Sequence, residues 1–127
     1  MNTPDEEKEI QYVLEQMAKD NYIVLPDTIA IGTVLKITEE VSLEEDGYEK
    51  GYLVLTPSSG ILEHKHTDDI ETYTCLTGRL SVKNKPTKEN TCRIGKKHNI
   101  DIVKELTIIK TLKIKQKEKQ KHYKYKK

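Results

Sequence analysis

The chain has 127 residues, 35% of them hydrophobic and 34% charged, with a formal net charge of +1 and neither tryptophan nor phenylalanine. That length fits one domain with a small aliphatic core in which tyrosine is the only large ring. Near-neutral charge argues against nucleic acid as the main partner, and no apolar run is long enough to span a bilayer, so no membrane partner is expected.

The opening segment carries helix signals. Thr3 can cap, Pro4 suits the first helical position, and Glu6 stands three residues after Thr3, as a capping box requires. Ile10, Val13, Leu14 and Met17 recur at helical spacing, which predicts a helix within residues 1–21 that packs one apolar stripe on the body following it. The first residues are acidic where a signal peptide is basic and then apolar, so a cytoplasmic location is expected. Cys75 and Cys92, whose spacing matches no zinc or redox motif, fit the same reducing compartment.

From Tyr22 the pattern changes to short β-type runs at 22–25, 28–37, 51–56, 61–66, 71–76, 79–82, 91–94, 99–103 and 106–114. Turn-forming clusters separate them: Pro26-Asp27, Glu45-Asp46-Gly47, Pro57-Ser58-Ser59-Gly60, Thr67-Asp68-Asp69, Thr77-Gly78 and Asn84-Lys85-Pro86. Many short strands at close spacing predict a sandwich or barrel over 22–114. Residues 115–127 alternate lysine with polar groups and read as a basic, solvated tail.

Histidine is scarce, with four in the chain, so its placement is informative. His64 and His66 stand two apart in a β-type run and therefore share a face. The turn at Thr67-Asp68-Asp69 resets the parity, after which Glu71, Tyr73 and Cys75 share a face of the next strand. His98 opens a run in which Ile100 and Ile102 are expected on its inward side. A buried neutral imidazole needs a partner for each nitrogen, and a metal together with a carbonyl or carboxylate supplies both. Glu63, Asp68 and Asp69 read as solvent-facing charges, and Cys92 and His122 as structural or surface residues.

His64-Lys65-His66, four residues, Glu71, six residues and Gly78 resemble the first motif of the cupin superfamily, and Gly95, two residues and His98 resemble the core of the second. The resemblance covers about residues 51–114. It implies a mainly β fold, a double-stranded β-helix forming the cupin jelly-roll barrel behind a short N-terminal α-helix. It also implies that His64, His66, Glu71 and His98 ligate one divalent metal; mixed nitrogen and oxygen ligands suit a transition metal such as iron, manganese, nickel, cobalt or zinc, and the face that Tyr73 and Cys75 share with Glu71 makes them pocket candidates. Ser58 stands where the first motif usually opens with glycine, Arg93 where the second has proline, and Ile102 where it ends in asparagine. These positions shape turns or packing and do not bind metal.

Three imidazoles and one carboxylate leave an octahedral ion open positions for a small molecule. That suits an oxygenase-type enzyme, or a metal-dependent sugar isomerase or epimerase using Glu105 or Tyr73 as its base, or a non-catalytic small-ligand-binding or regulatory module. A barrel this small also has reason to pair as a homodimer, through the helix or the strands of 28–37.

Overall fold

The computed structural model describes residues 2–39 and 42–116, so most of the expected tail, His122 included, lies outside the described residues. The chain opens with α1 (Pro4–Ala18), started by the capping box: the Glu6 N–H donates to the Thr3 hydroxyl at 3.1 Å and the Thr3 N–H to the Glu6 carboxylate at 3.0 Å. There follow β1 (Ile23–Val24), β2 (Ala30–Ile31), β3 (Val34–Thr38), a single helical turn α2 (Leu43–Asp46), β4 (Tyr48–Leu55), β5 (Gly60–Lys65) and β6 (Asp69–Thr77). Then come β7 (Leu80–Val82), β8 (Lys85–Thr87), β9 (Glu89–Cys92), β10 (Lys97–Ile100) and β11 (Thr107–Lys115). All pairs are antiparallel, forming a six-stranded sheet in the order β1-β3-β4-β11-β6-β9, a three-stranded sheet β10-β5-β2 and the hairpin β7-β8. This is the mainly β jelly roll, behind a short N-terminal helix, that the sequence implies. No helix of the described residues is long and apolar enough to cross a membrane.

The large sheet is buried on both faces. Leu53, Leu55, Tyr73 and Ile109 pack inward against Ala30, Ile61 and Ile100 of the small sheet. Tyr52, Val54, Leu76 and Ile108 face outward, where Val13 of α1 covers them. The unbroken apolar run of β4 is thereby explained, since both of its sides meet protein. Ion pairs from Lys110 to Glu9 (2.7 Å) and from Lys88 to Glu6 (3.2 Å) fasten the helix at the rim of that contact.

The helix stripe differs from expectation in one residue. Val13 is fully buried with Ile10 and Met17 beside it, but Leu14 is 42% exposed. The helix is turned so that Tyr12 meets Tyr52, ring centroids 5.8 Å apart, and Gln16 is buried, accepting a hydrogen bond from Asn21. Of the two surfaces expected to serve a homodimer, the helix stripe is therefore covered within the chain, whereas Ile29 and Ile31 remain exposed.

Three further departures concern backbone direction. The run 28–37 is two strands: β2 pairs with β5 in the small sheet and β3 with β4 in the large one. The chain crosses between sheets at Gly32, whose φ of +71° suits glycine and whose added Cβ would lie 2.8 Å from the Ser59 hydroxyl. The turn expected at Asn84-Lys85-Pro86 instead centres on Lys83 and Asn84, both at positive φ, a two-residue hairpin loop that frees Pro86 to sit in β8. Finally, β10 stops at Ile100, and Asp101 and Val103 then bond back to Ser81 and Ser59. The alternation is lost there, so Val103 is buried and Ile102 is 54% exposed, not inward beside His98.

The Val13 and Leu14 environments separate two substitutions of similar chemistry. Val13→Ala should cost about 1–2 kcal/mol of unfolding free energy in urea, and Leu14→Ala no more than about 0.5 kcal/mol. Equal losses would contradict the helix orientation.

Candidate metal centre

Two sheets and the turns between their strands bring four donors together. Strand β10 pairs with β5 so that His98 stands directly opposite His64. Opposite residues of an antiparallel pair project from the same face, and the two rings meet with centroids 4.0 Å apart. His66 lies two residues beyond His64 on that same face, its ring 5.2 Å from that of His98 and within 10° of parallel. The turn ahead of β10 is fixed by Gly95, at φ +76°, whose N–H donates to the His66 carbonyl at 2.8 Å. The feature that aims His98 thus also positions His66.

Glu71 arrives from the opposite sheet. Along β6 the buried residues Asp69, Glu71, Tyr73 and Cys75 alternate with Ile70, Thr72 and Thr74, which are only partly buried, confirming the shared face. Ligand atoms of His64, His66, Glu71 and His98 all lie within 4.8 Å of one another.

Each imidazole also meets a second group. His64 Nδ1 is 2.9 Å from the Leu62 carbonyl, so the Nδ1–H donates there and Nε2 is left bare. His66 Nδ1 lies 2.8 Å from Asp69 Oδ1, and its Nε2 3.1 Å from Glu71 Oε1. His98 Nε2 is 3.0 Å from the Tyr73 hydroxyl, while Nδ1 is buried without a hydrogen-bond partner. A buried imidazole with an unpartnered nitrogen, in a residue that clusters with three other donors, suits a divalent cation, and nitrogen with carboxylate oxygen suits iron, manganese, nickel, cobalt or zinc.

The electrostatics favour the ligand forms of Glu71 and His98 and the protonated form of His66. Burial pushes the Glu71 carboxyl up, but the His66 hydrogen bond and the Lys113 charge outweigh it and hold the group below the usual carboxylate range. The Glu71 hydrogen bond raises His66 against the opposing effect of burial. Burial, with His64 alongside, lowers His98 to about 4, so its ring is neutral at neutral pH. Burial and the Glu71 charge push the Tyr73 phenol well above its ordinary value, and the same two causes push the Cys92 thiol up to about 12.

Some sequence expectations change here. Asp69 is not a solvent-facing charge: it is 8% exposed and faces His66, a role legible in its parity with Glu71. Asp68 and Glu63 are exposed as expected. Cys92 is buried and paired across β9 and β6 with Glu71, so it borders the site. Tyr73 touches the site through His98, whereas Cys75 lines a separate cavity with Gly78, Arg79 and Lys88. Glu105 is exposed and lines another cavity, with Arg79, Asn84 and Lys104. His98 and Cys92 themselves open on a cavity of about 340 Å³ between β9 and β10.

No protein-family model matches the chain, and no curated protein matches it. Solved structures do. A predicted oxalate decarboxylase from Thermotoga maritima is similar with a TM-score of 0.64 at 20% identity, over 75% of this chain and 92% of that one. An acetylacetone dioxygenase from Acinetobacter johnsonii gives 0.60 at 14% identity, over 75% of this chain and 68% of that one. The Cnp3 cupin domain from Schizosaccharomyces pombe gives 0.57 at 10% identity, over 81% of this chain and 74% of that one. At such identities the likeness is one of fold.

The low His98 value has a pH consequence. A histidine lowered from its ordinary 6.5 to about 4 leaves folding undisturbed above the ordinary value, and stability drains away as pH falls through that window. His66, raised, works in the opposite sense, losing its contribution as pH rises through its folded value, and Glu71, lowered, loses its own as pH falls. Metal-free protein should therefore lose about 2–3 kcal/mol more than a His98→Gln variant between roughly pH 7 and pH 4.5 in urea unfolding. Parallel pH profiles would contradict the assignment.

Proposed function

We propose that this chain, a cupin by its fold, binds one divalent transition metal through His64, His66, Glu71 and His98 and uses it on a small molecule in an oxygenase-type reaction. The observation that carries this is the convergence of four ligand atoms within 4.8 Å, drawn from both sheets, with the buried His98 Nδ1 otherwise unpartnered. When bound, the metal supplies Lewis-acid chemistry or, as iron, dioxygen chemistry.

The protein's own part is to hold and to exclude. The Leu62 carbonyl orients His64 and Tyr73 orients His98, while the Asp69 carboxylate lies in ion-pair contact with His66 at 2.8 Å without a hydrogen bond from it and supports that ring electrostatically. The aliphatic lining of Leu53, Leu55, Ile61 and Ile109 keeps water from the barrel interior behind these ligands.

Oxygenase-type chemistry is favoured over the isomerase alternative because isomerisation needs a proton-transfer base beside the ligands. Of the titratable groups beside the ligands, Tyr73 and Cys92 are held in their protonated forms at neutral pH and Asp69 is engaged with His66, while Glu105 lines a different cavity. An acetylacetone dioxygenase and a predicted oxalate decarboxylase share the fold, which is consistent with small-molecule chemistry at such a centre.

Cobalt is a direct probe of open positions. Cobalt(II)-loaded protein should show the weak visible absorption of a five- or six-coordinate ion, and the intense absorption of a tetrahedral ion would overturn an open, reactive site. Oxygen uptake by the iron-loaded protein, screened against small 1,3-dicarbonyl and carboxylate substrates, tests the reaction type. Asp69→Asn should weaken metal affinity by about tenfold or more in competition with a chelator while leaving the stoichiometry at one, and unchanged affinity would remove Asp69 from the centre.

A further inference from the structure

The cavity beside His98 has a one-sided charge. Strand β9 ends the large sheet and β10 ends the small one, so the barrel is open along that seam, with the β7-β8 hairpin beside it. The hairpin is held there by side chains of the β10 segment: the Lys83 N–H donates to Asn99 at 3.1 Å and the Asn84 N–H to Asp101 at 2.5 Å. Five cationic side chains line the cavity and no carboxylate does. Lys83 is paired with Glu63 at 3.6 Å, but Lys85, Arg93, Lys96 and Lys97 have no ion-pair partner among the described residues.

A chain with a net charge of only +1 thus gathers four unpaired cations around one opening. Behind them, a divalent ion with one carboxylate ligand would add a further net charge of about +1. Low-dielectric walls around such a mouth focus the potential and raise the local concentration of anions.

We propose that the ligand of this site is a small anion, carrying a carboxylate or phosphate end, which enters through the seam between β9 and β10 and is held there by Lys85, Arg93, Lys96 and Lys97. The end away from these cations reaches the ligand cluster past His98, the one member of that cluster that lines the cavity. Cys92, also in the lining, contributes a neutral thiol, and Asn90 and Thr91 contribute uncharged hydrogen-bonding groups that suit the remainder of a polar molecule. The volume of about 340 Å³ lies at the small end for such pockets and suits a metabolite-sized guest. The inference rests on the metal site proposed above.

The test uses full-length, cobalt-loaded protein titrated at low salt with malonate, with methyl phosphate and with neutral malonamide, followed by visible absorption and by melting temperature. At least one anion should bind about tenfold or more tightly than malonamide, and added salt should erode the difference. A variant with Lys85→Gln, Arg93→Gln, Lys96→Gln and Lys97→Gln, all exposed positions, should keep its cobalt and lose about tenfold in anion affinity. Tighter malonate assigns a carboxylate ligand, and tighter methyl phosphate a phosphate monoester. Cobalt retained with anions bound no better than malonamide, or with the variant unchanged, overturns the anionic ligand and leaves the metal site standing. Failure to take up cobalt overturns the metal site itself.

Discussion

The candidate centre depends on the register of β10 against β5. His98 opposes His64 only because Lys97 opposes Lys65 and Ile100 opposes Ile61, with a shift between His98 and Ile100. A slip of one residue would send His98 to the outer face and bring a lysine or asparagine in its place. Two anchors prevent that slip. Ile61 and Ile100 are buried against Tyr73 and Ile109 of the facing sheet, and the Gly95 N–H bonds to the His66 carbonyl at the open end. Hydrophobic packing at one end of a strand thereby sets the chemistry at the other.

The same packing explains the protonation states. An aliphatic interior disfavours charge, which keeps His98 neutral, Tyr73 and Cys92 protonated, and leaves the charge of the cluster to Glu71 and His66, which support one another. The result is an ionised carboxylate beside a neutral His98, with phenol and thiol groups as neutral neighbours, and a metal bound here would displace the proton that Glu71 favours on His66. Deeper burial of Glu71 without His66 would favour its neutral form and remove a ligand. Outside the barrel the balance reverses, with exposed lysines and an arginine ringing the opening beside His98.

Much of this was legible in the residues. Thr3 and Glu6 announce the helix start, the His64 and His66 spacing announces a common strand face, and the turn between His66 and Glu71 announces the change of parity. What escaped sequence reasoning involves contacts between segments distant in the chain. Gly32 looks like any glycine in a strand until Ser59 is found against it. Ile102 continues the alternation of Ile100, but hydrogen bonds to Ser81 and Ser59 take that stretch out of the sheet. Asp69 belongs to a turn by composition, yet it is the first residue of β6 and shares the inner face with Glu71. Ser58 sits at φ +74°, which gives the physical reason why glycine is usual at that motif position.

The central claim is that four side chains from two sheets hold one ion. Diffraction data collected on crystals of metal-loaded protein at the absorption edge of the bound element test it most directly. A single anomalous peak per chain is expected, within bonding distance of His64, His66, Glu71 and His98 together. A peak elsewhere on the chain, or none at this cluster in protein shown by elemental measurement to carry the metal, would contradict it.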